Sequence, residues 1–265
     1  MSVVVERRRA RPLQVSLAGA WRYWLRNAAV FRRTWLLGLM AWFLEPVIYL
    51  VAMGLGLGQY LEQIRGIDYI DFIAPGLAAL SAMYGATFEA TWSAHFKMER
   101  AGIYGAATAT PVSIEDVALG EAMWAATRAG IYGAAFCAVA LPFGVFHSWW
   151  ALAVPPVLLA TGFMFGVMGI AYTYHAKRID YLAYYWTLFL TPMFMFSGIF
   201  FPLDRLPEWI QTLAWFMPLH HAVEAMRSLM LDGDPIAASM STLWMIALSL
   251  ALLPLPLRAL RRRLT

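Results

Sequence analysis

The sequence predicts an all-α integral membrane protein: six transmembrane helices, an N-terminal interfacial amphipathic helix, and short re-entrant outer helices before the last span. Three observations carry this expectation. Hydrophobic residues make up 61% of the 265 and charged residues 14%, against about 25% charged in soluble domains. So much apolar surface exceeds what one core of this size can hide, so lipid must be part of the solvent. The apolar stretches are also continuous, where a β-barrel would alternate in segments of about ten residues. Finally, the basic residues gather at segment ends on one side of the implied membrane.

Residues 1–35 are arginine-rich and lack an apolar core segment before Trp35, so no cleavable signal peptide is expected, and the first span should act as its own insertion signal. Within 12–35, Leu17, Trp21, Trp24, Ala28, Phe31 and Trp35 recur at helical spacing. Arg22, Arg26 and Arg33 fall on the opposite side, whereas Arg32 departs from the pattern. This reads as a helix lying in the interface with its tryptophans at headgroup depth. The alternative is the start of an overlong first span.

Six spans follow at about 36–58, 71–95, 119–145, 149–174, 181–201 and 237–257, each long enough for a hydrocarbon core of roughly 30 Å. The third and fourth are joined by a turn near His147 and Ser148. Residues 259–265 form a basic tail. Counting arginine and lysine sets the orientation. Sixteen of the 20 lie in the N-terminal segment, beside Lys97 and Arg100, beside Lys177 and Arg178, and in the C-terminal tail. Arg65, Arg205 and Arg227 lie on the other side, and Arg128 sits within a span. Both termini are therefore expected in the cytoplasm, which requires an even number of spans. Between spans five and six, Phe201-Pro202-Leu203 ends one span. A short helical stretch from Leu206 to Met217 then stops at Pro218, and a second follows from His220 to Leu231. Two short helices dipping into the outer leaflet would account for this.

Several chemistries are excluded. The basic residues sit at span ends and do not form one soluble patch, so nucleic acid is not an expected partner. The only lysines, Lys97 and Lys177, do not follow a glycine, so the chain has no phosphate-gripping loop. His220, His221 and Glu224 lack paired-histidine zinc spacing, and no Gly-x-Ser-x-Gly elbow occurs. His175 and Asp180 carry a spacing seen in some membrane acyltransferases, or else form a solvated turn with Lys177 and Arg178. Cys137, the one cysteine, reads as a small buried hydrophobe.

Three charges stand out. Glu45, Glu89 and Arg128 lie in spans one, two and three, roughly 9–14 Å from the basic end at 1.5 Å per residue. Charge at that depth is costly enough to demand a partner, so Arg128 is expected to pair with Glu89 or Glu45. The group either orders the bundle or serves as a gate or headgroup contact. A proton-coupled transporter would use Glu45 or Glu89. Pro46 should bend the first span. Trp149, Trp150, Trp209 and Trp215 suit an outer aromatic belt, while Tyr181, Tyr184, Tyr185 and Trp186 cluster at the inner start of span five, where sugar rings could stack. Gly54, Gly56, Gly58, Gly162, Gly166 and Gly169 permit close helix contact, within the bundle or across a dimer.

This order of elements resembles the ABC-2 type permeases, the membrane half of bacterial ATP-binding-cassette exporters. Particular stretches resemble its nodulation-protein-J branch, associated with lipo-oligosaccharide export. They are Glu45-Pro46 with Gly54 to Gly58; Phe72 to Gly76, Ser81-Ala82-Met83 and Phe88-Glu89; Thr110-Pro111 and Gly120-Glu121; Thr191-Pro192-Met193; and Ser197-Gly198-Ile199-Phe200-Phe201-Pro202-Leu203 with Leu206-Pro207. Pro218-Leu219, His221 and Arg227 complete the set, and the resemblance covers roughly 15–258. It implies a permease subunit in the bacterial inner membrane that works as two copies above two ATPase subunits, which carry the ATP and magnesium. This chain needs no cofactor of its own. It also implies that the loop 96–118 docks on the ATPase through Lys97, Met98, Glu99, Arg100, Tyr104, Thr110 and Pro111. The loop's length, beyond the usual two to eight residues or so, agrees with a docked element. An amphipathic glycolipid or lipo-oligosaccharide-like molecule, moved out of the cytoplasm, is the implied substrate. A drug or lipid exporter of the same architecture is the alternative.

Overall fold

A computed structural model describes residues 15–61, 63–64 and 66–264, with the backbone alone for 36–43. The arginines at 7–11 and Arg65, used in the charge count, lie outside these residues. The described chain is all-helical, and its one β-bridge joins Ile64 and Ile67. The helices are α1 Leu17–Tyr49, α2 Tyr69–Phe88, α3 Ala94–Glu99, α4 Ile103–Thr108, α5 Ile114–Ala140, α6 Val154–His175, α7 Asp180–Tyr184, α8 Thr191–Met195, α9 Glu208–Trp215, α10 Pro218–Arg227, α11 Pro235–Leu252 and α12 Pro254–Leu264.

Four helical runs among the described residues are long and apolar enough to cross a membrane: Tyr69–Glu99, Ile114–Phe143, Trp149–His175 and Pro235–Leu264. The first of these joins α2 to α3 through a π-helical turn at Glu89–Ser93 and is the most enclosed, 83% buried over its apolar window. It is the axis of the bundle, packed by α5, α6 and α10. Its own sequence explains why, since Ala74, Gly76, Ala78, Ala79, Ala82, Gly85 and Ala86 leave room for neighbours to approach.

The α5–α6 seam follows the same logic. A Cβ added at Gly162 would strike the Cβ of Ala129, and one at Gly166 would meet Ala125. The spacing of small residues in span four thus serves close packing inside the bundle.

Two sequence expectations change. The interfacial helix and the first span are one continuous helix, α1, with no break at Trp35; it runs on through a π-helical stretch, Leu50–Leu57. The face of α1 that meets α5 carries Ala20, Tyr23 and Asn27, all buried. Of the apolar stripe, Leu17, Trp21 and Trp35 are exposed, while Trp24, Ala28 and Phe31 are half-buried, Trp24 donating to Thr127 of α5 at 2.9 Å. Span five is shorter than 181–201: the helical run from Asp180 ends at Met195, and Gly198 turns the chain at φ +86°. Only glycine takes that conformation without strain.

Two short helices, α9 and α10, do occupy the stretch before α11, meeting at Pro218, where the fixed ring favours a helix start. Residues 259–264 are helical rather than a loose tail. Leu257 and Leu260 of α12 are buried against α5 and α6, and Arg263 reaches the carbonyls of Thr173, Tyr174 and Ala176 at 3.2, 3.1 and 2.6 Å. A cation there satisfies the open carbonyls at the end of α6.

Candidate functional site

Two buried charge centres lie toward opposite ends of the bundle. At the basic end, helical spacing brings four ions together. Glu89, Ser93 and Lys97 lie four residues apart on one helical run, and Glu121 and Arg128 lie seven apart on α5. Lys97 Nζ stands 2.7 Å from Glu89 Oε1 and 2.8 Å from Glu121 Oε2. Arg128 Nε is 3.8 Å from Glu89 Oε2, its guanidinium donates to the Tyr132 hydroxyl, and it lies 4.5 Å from the ring centre of Phe31. Ser93 Oγ donates to Glu89 at 2.7 Å. All four ions are buried, and two negative charges balance two positive ones.

Phenols complete the shell of Glu121. Tyr23 of α1 and Tyr104 of α4 donate to Glu121 Oε1 at 2.8 and 3.2 Å, and Asn27 donates to Oε2 at 3.4 Å. Tyr174 of α6 donates to Tyr104 at 3.3 Å. Burial, with the Glu121 carboxylate beside them, holds both Tyr23 and Tyr104 well above the usual phenol range, so both remain donors. One carboxylate thus ties together α1, the α3–α4 connection and α5.

The expected pairing of Arg128 with Glu89 is present, but Glu89's shorter partner is Lys97. Glu45 stands apart from the cluster. It is exposed and accepts a hydrogen bond from Tyr84. The residues assigned by resemblance to the ATPase contact divide in two. Glu99, Arg100, Thr110 and Pro111 are exposed, whereas Lys97, Met98 and Tyr104 point into the bundle. The Lys97 ammonium is held by two carboxylates inside the bundle.

Above α5, Ser113 and Asp116 form a reciprocal cap, and Asp116 Oδ1 also accepts from Ser16 N at 2.6 Å. A Cβ at Gly19 would collide with that carboxylate. Glu115 pairs with Arg261, and Glu99 pairs with Arg263 at 2.7 Å.

At the opposite end, Arg227 donates to Glu224 at 2.7 Å and to the Gly198 carbonyl at 3.0 Å, and its guanidinium lies 4.4 Å from the ring centre of Phe72. His221 meets the Trp215 carbonyl at 2.8 Å and stacks on Trp244 at 3.9 Å. His220 approaches the carbonyl of buried Ser197 at 3.3 Å. Of the residues that the resemblance implies for an outer re-entrant segment or gate (Ser197, Gly198, Phe201, Pro202, Pro207, Pro218, His221 and Arg227), Ser197, Gly198, His221 and Arg227 lie on this α10 face and the turn it holds, and Pro218 starts α10. Phe201 and Pro202 are half-buried in the turn, and Pro207 is exposed at the start of α9.

His175 bonds the Ala171 carbonyl of its own helix, and Asp180 pairs with Arg178 at 2.9 Å. Both side chains are exposed, in keeping with the solvated-turn reading. Among the described residues no cluster of His, Cys, Asp and Glu could hold a metal ion.

The ABC-2 type transporter family model matches residues 19–231. Nodulation protein J of Rhizobium leguminosarum bv. trifolii is 37% identical over 80% of this chain and 81% of its own length. Nodulation protein J of Sinorhizobium fredii is 36% identical over 87% and 90%. The inner membrane transport permease YadH of Escherichia coli K12 is 26% identical over 77% and 79%. The chain belongs to the ABC-2 type transporter family: it is a multi-pass membrane permease, similar to nodulation protein J.

Proposed function

We propose that this ABC-2 permease is the membrane subunit of an exporter that moves an amphipathic glycolipid or lipo-oligosaccharide-like substrate out of the cytoplasm. The observation that carries the reading is the match to nodulation protein J over more than four-fifths of the longer alignment's chains. In this reading the chain crosses the bacterial inner membrane six times, with both termini in the cytoplasm. Two copies form the pathway, and two separate ATPase subunits bind ATP and magnesium.

The loop after α3 is the transmission element. Its exposed Glu99, Arg100, Thr110 and Pro111 meet the ATPase, while Tyr104 and Lys97 carry the movement to α1, α2 and α5 through Glu121. A loop pinned by buried hydrogen bonds moves with the bundle rather than against it, which is the property a coupling element needs.

Pull-down of the tagged chain from native membranes in mild detergent, with ATPase activity read on the eluate, tests this. The expected result is co-purifying ATPase that is lost in Arg100→Glu and Pro111→Trp variants whose membrane yield is normal. An eluate without ATPase, under conditions that preserve a known transporter complex, would overturn it.

A further inference from the structure

A groove of about 470 Å³ opens on the side of the bundle, lined by Ala171, Tyr172, Tyr185, Leu188, Phe189 and Leu255 among others. Its walls are α6, the run from α7 to α8, and the junction of α11 with α12. Aromatic stacking stiffens it: Tyr172 and Tyr185 lie 4.8 Å apart, Tyr185 and Phe189 5.2 Å. Leu188 and Leu255 are exposed within it.

A second cavity of about 450 Å³ is lined by Tyr174, His175, Lys177, Ala259, Arg262 and Arg263. It continues the first. Ala171 and Leu255 line the groove, and His175 and Ala259 lie four residues further along the same two helices. Four residues return to the same helix face about 6 Å along the axis. The seam between α6 and α12 is therefore apolar over one stretch and cationic over the next. Among the described residues, no acidic side chain lines the cationic part. Arg263 is engaged by Glu99 and three carbonyls, but Lys177 and Arg262 are exposed.

We propose that this seam binds an anionic phospholipid of the inner leaflet, with its acyl chains in the tyrosine-lined groove and its phosphate on Lys177 and Arg262. The charge complementarity is one-sided and the apolar and cationic parts adjoin in the order a phospholipid presents them. The leaflet assignment rests on the cytoplasmic placement of the C-terminus. The lipid binding itself is independent of substrate and of the ATPase.

The test uses the full chain, purified and stripped of lipid, with phosphatidylglycerol, phosphatidylcholine or inorganic phosphate added. Native mass spectrometry reads retained lipid and thermal unfolding reads stabilisation. Phosphatidylglycerol should be retained and raise the Tm, while the other two should do neither. The double variant Lys177→Gln, Arg262→Gln should weaken retention about 30-fold, at about 1 kcal/mol per basic residue. Ala171→Trp should block the groove and abolish retention while the charges remain. Equal retention of phosphatidylcholine, protection by inorganic phosphate alone, or undiminished retention by the double variant would each overturn the proposal. Labelling of Arg262→Cys by an impermeant reagent in intact cells would overturn the leaflet assignment alone.

Discussion

The two ends of the bundle each bury an arginine, and they satisfy it in different ways. Arg128 sits beside the Glu89 carboxylate of the neighbouring helical run, the Tyr132 phenol of its own helix and the Phe31 ring of α1, and through Glu89 it joins the Lys97–Glu121 network. Arg227 sits on a backbone carbonyl, a phenyl ring and one half-exposed glutamate of its own helix. A charge network ties distant segments to one another and fails as a unit when one member is lost. A guanidinium on a carbonyl fixes local backbone, here the glycine turn after α8, and leaves its surroundings free to differ. The basic end is tied together by one shared network. The other end is built from short helices and turns held one contact at a time.

The contrast predicts an order of sensitivities. Glu121→Ala should have the largest effect, lowering unfolding free energy by about 3–5 kcal/mol, because it leaves a buried ammonium and two buried phenols short of a partner. Thermal unfolding of the detergent-solubilised chain reads this, and a loss no larger than that of a surface variant would break the comparison. Arg227→Met comes next, at about 1.5–3 kcal/mol for its charged hydrogen bonds. Limited proteolysis should then show cleavage confined to 196–207, and cleavage spread through α1 and α5 would contradict the local role. Tyr104→Phe removes one hydroxyl and should cost about 1 kcal/mol, with ATPase coupling reduced more than stability. Glu224→Gln, on the half-exposed partner, should change stability by less than about 1 kcal/mol.

A cycle on Arg128→Ala and Glu89→Gln sharpens the basic end further. The single losses should not add, because both residues share one network, whereas strict additivity would place them in separate ones.

Four spans were legible because lipid demands long apolar runs: among the described residues the four runs long and apolar enough to cross a membrane start within about five residues of the places expected for spans two, three, four and six. Glu89 and Arg128 were legible for the same reason, since charges inside such runs stand out. Lys97 and Glu121 were not. Each lies at a span end, where a charge is ordinarily taken to face water, yet the fold draws both inward. Their spacing offered a clue: Glu89, Ser93 and Lys97 fall on one face, as do Glu121 and Arg128. The missing information was which faces meet, and that is set by the tertiary packing of the α2–α3 run, together with α1, on α5. The continuity of α1 was hidden for a related reason. The stripe of tryptophans is a true amphipathic signal, but it is shared between the outward face at Leu17, Trp21 and Trp35 and the flank that meets α5 at Trp24 and Phe31, and the fully buried face carries smaller and more polar residues than a core usually shows.

The carboxylate of Asp116 closes the start of two helices, and the amide it receives from α1 lies 100 residues earlier in the chain. A chain emerges from the ribosome N-terminus first. Ser16 is therefore made long before its partner, and the opening turn of α1 stays unfastened until the start of α5 has been made. The last step of that segment's maturation is then a clasp between the oldest part of the nascent chain and its middle, and a lesion at Asp116 should first be felt as slow assembly.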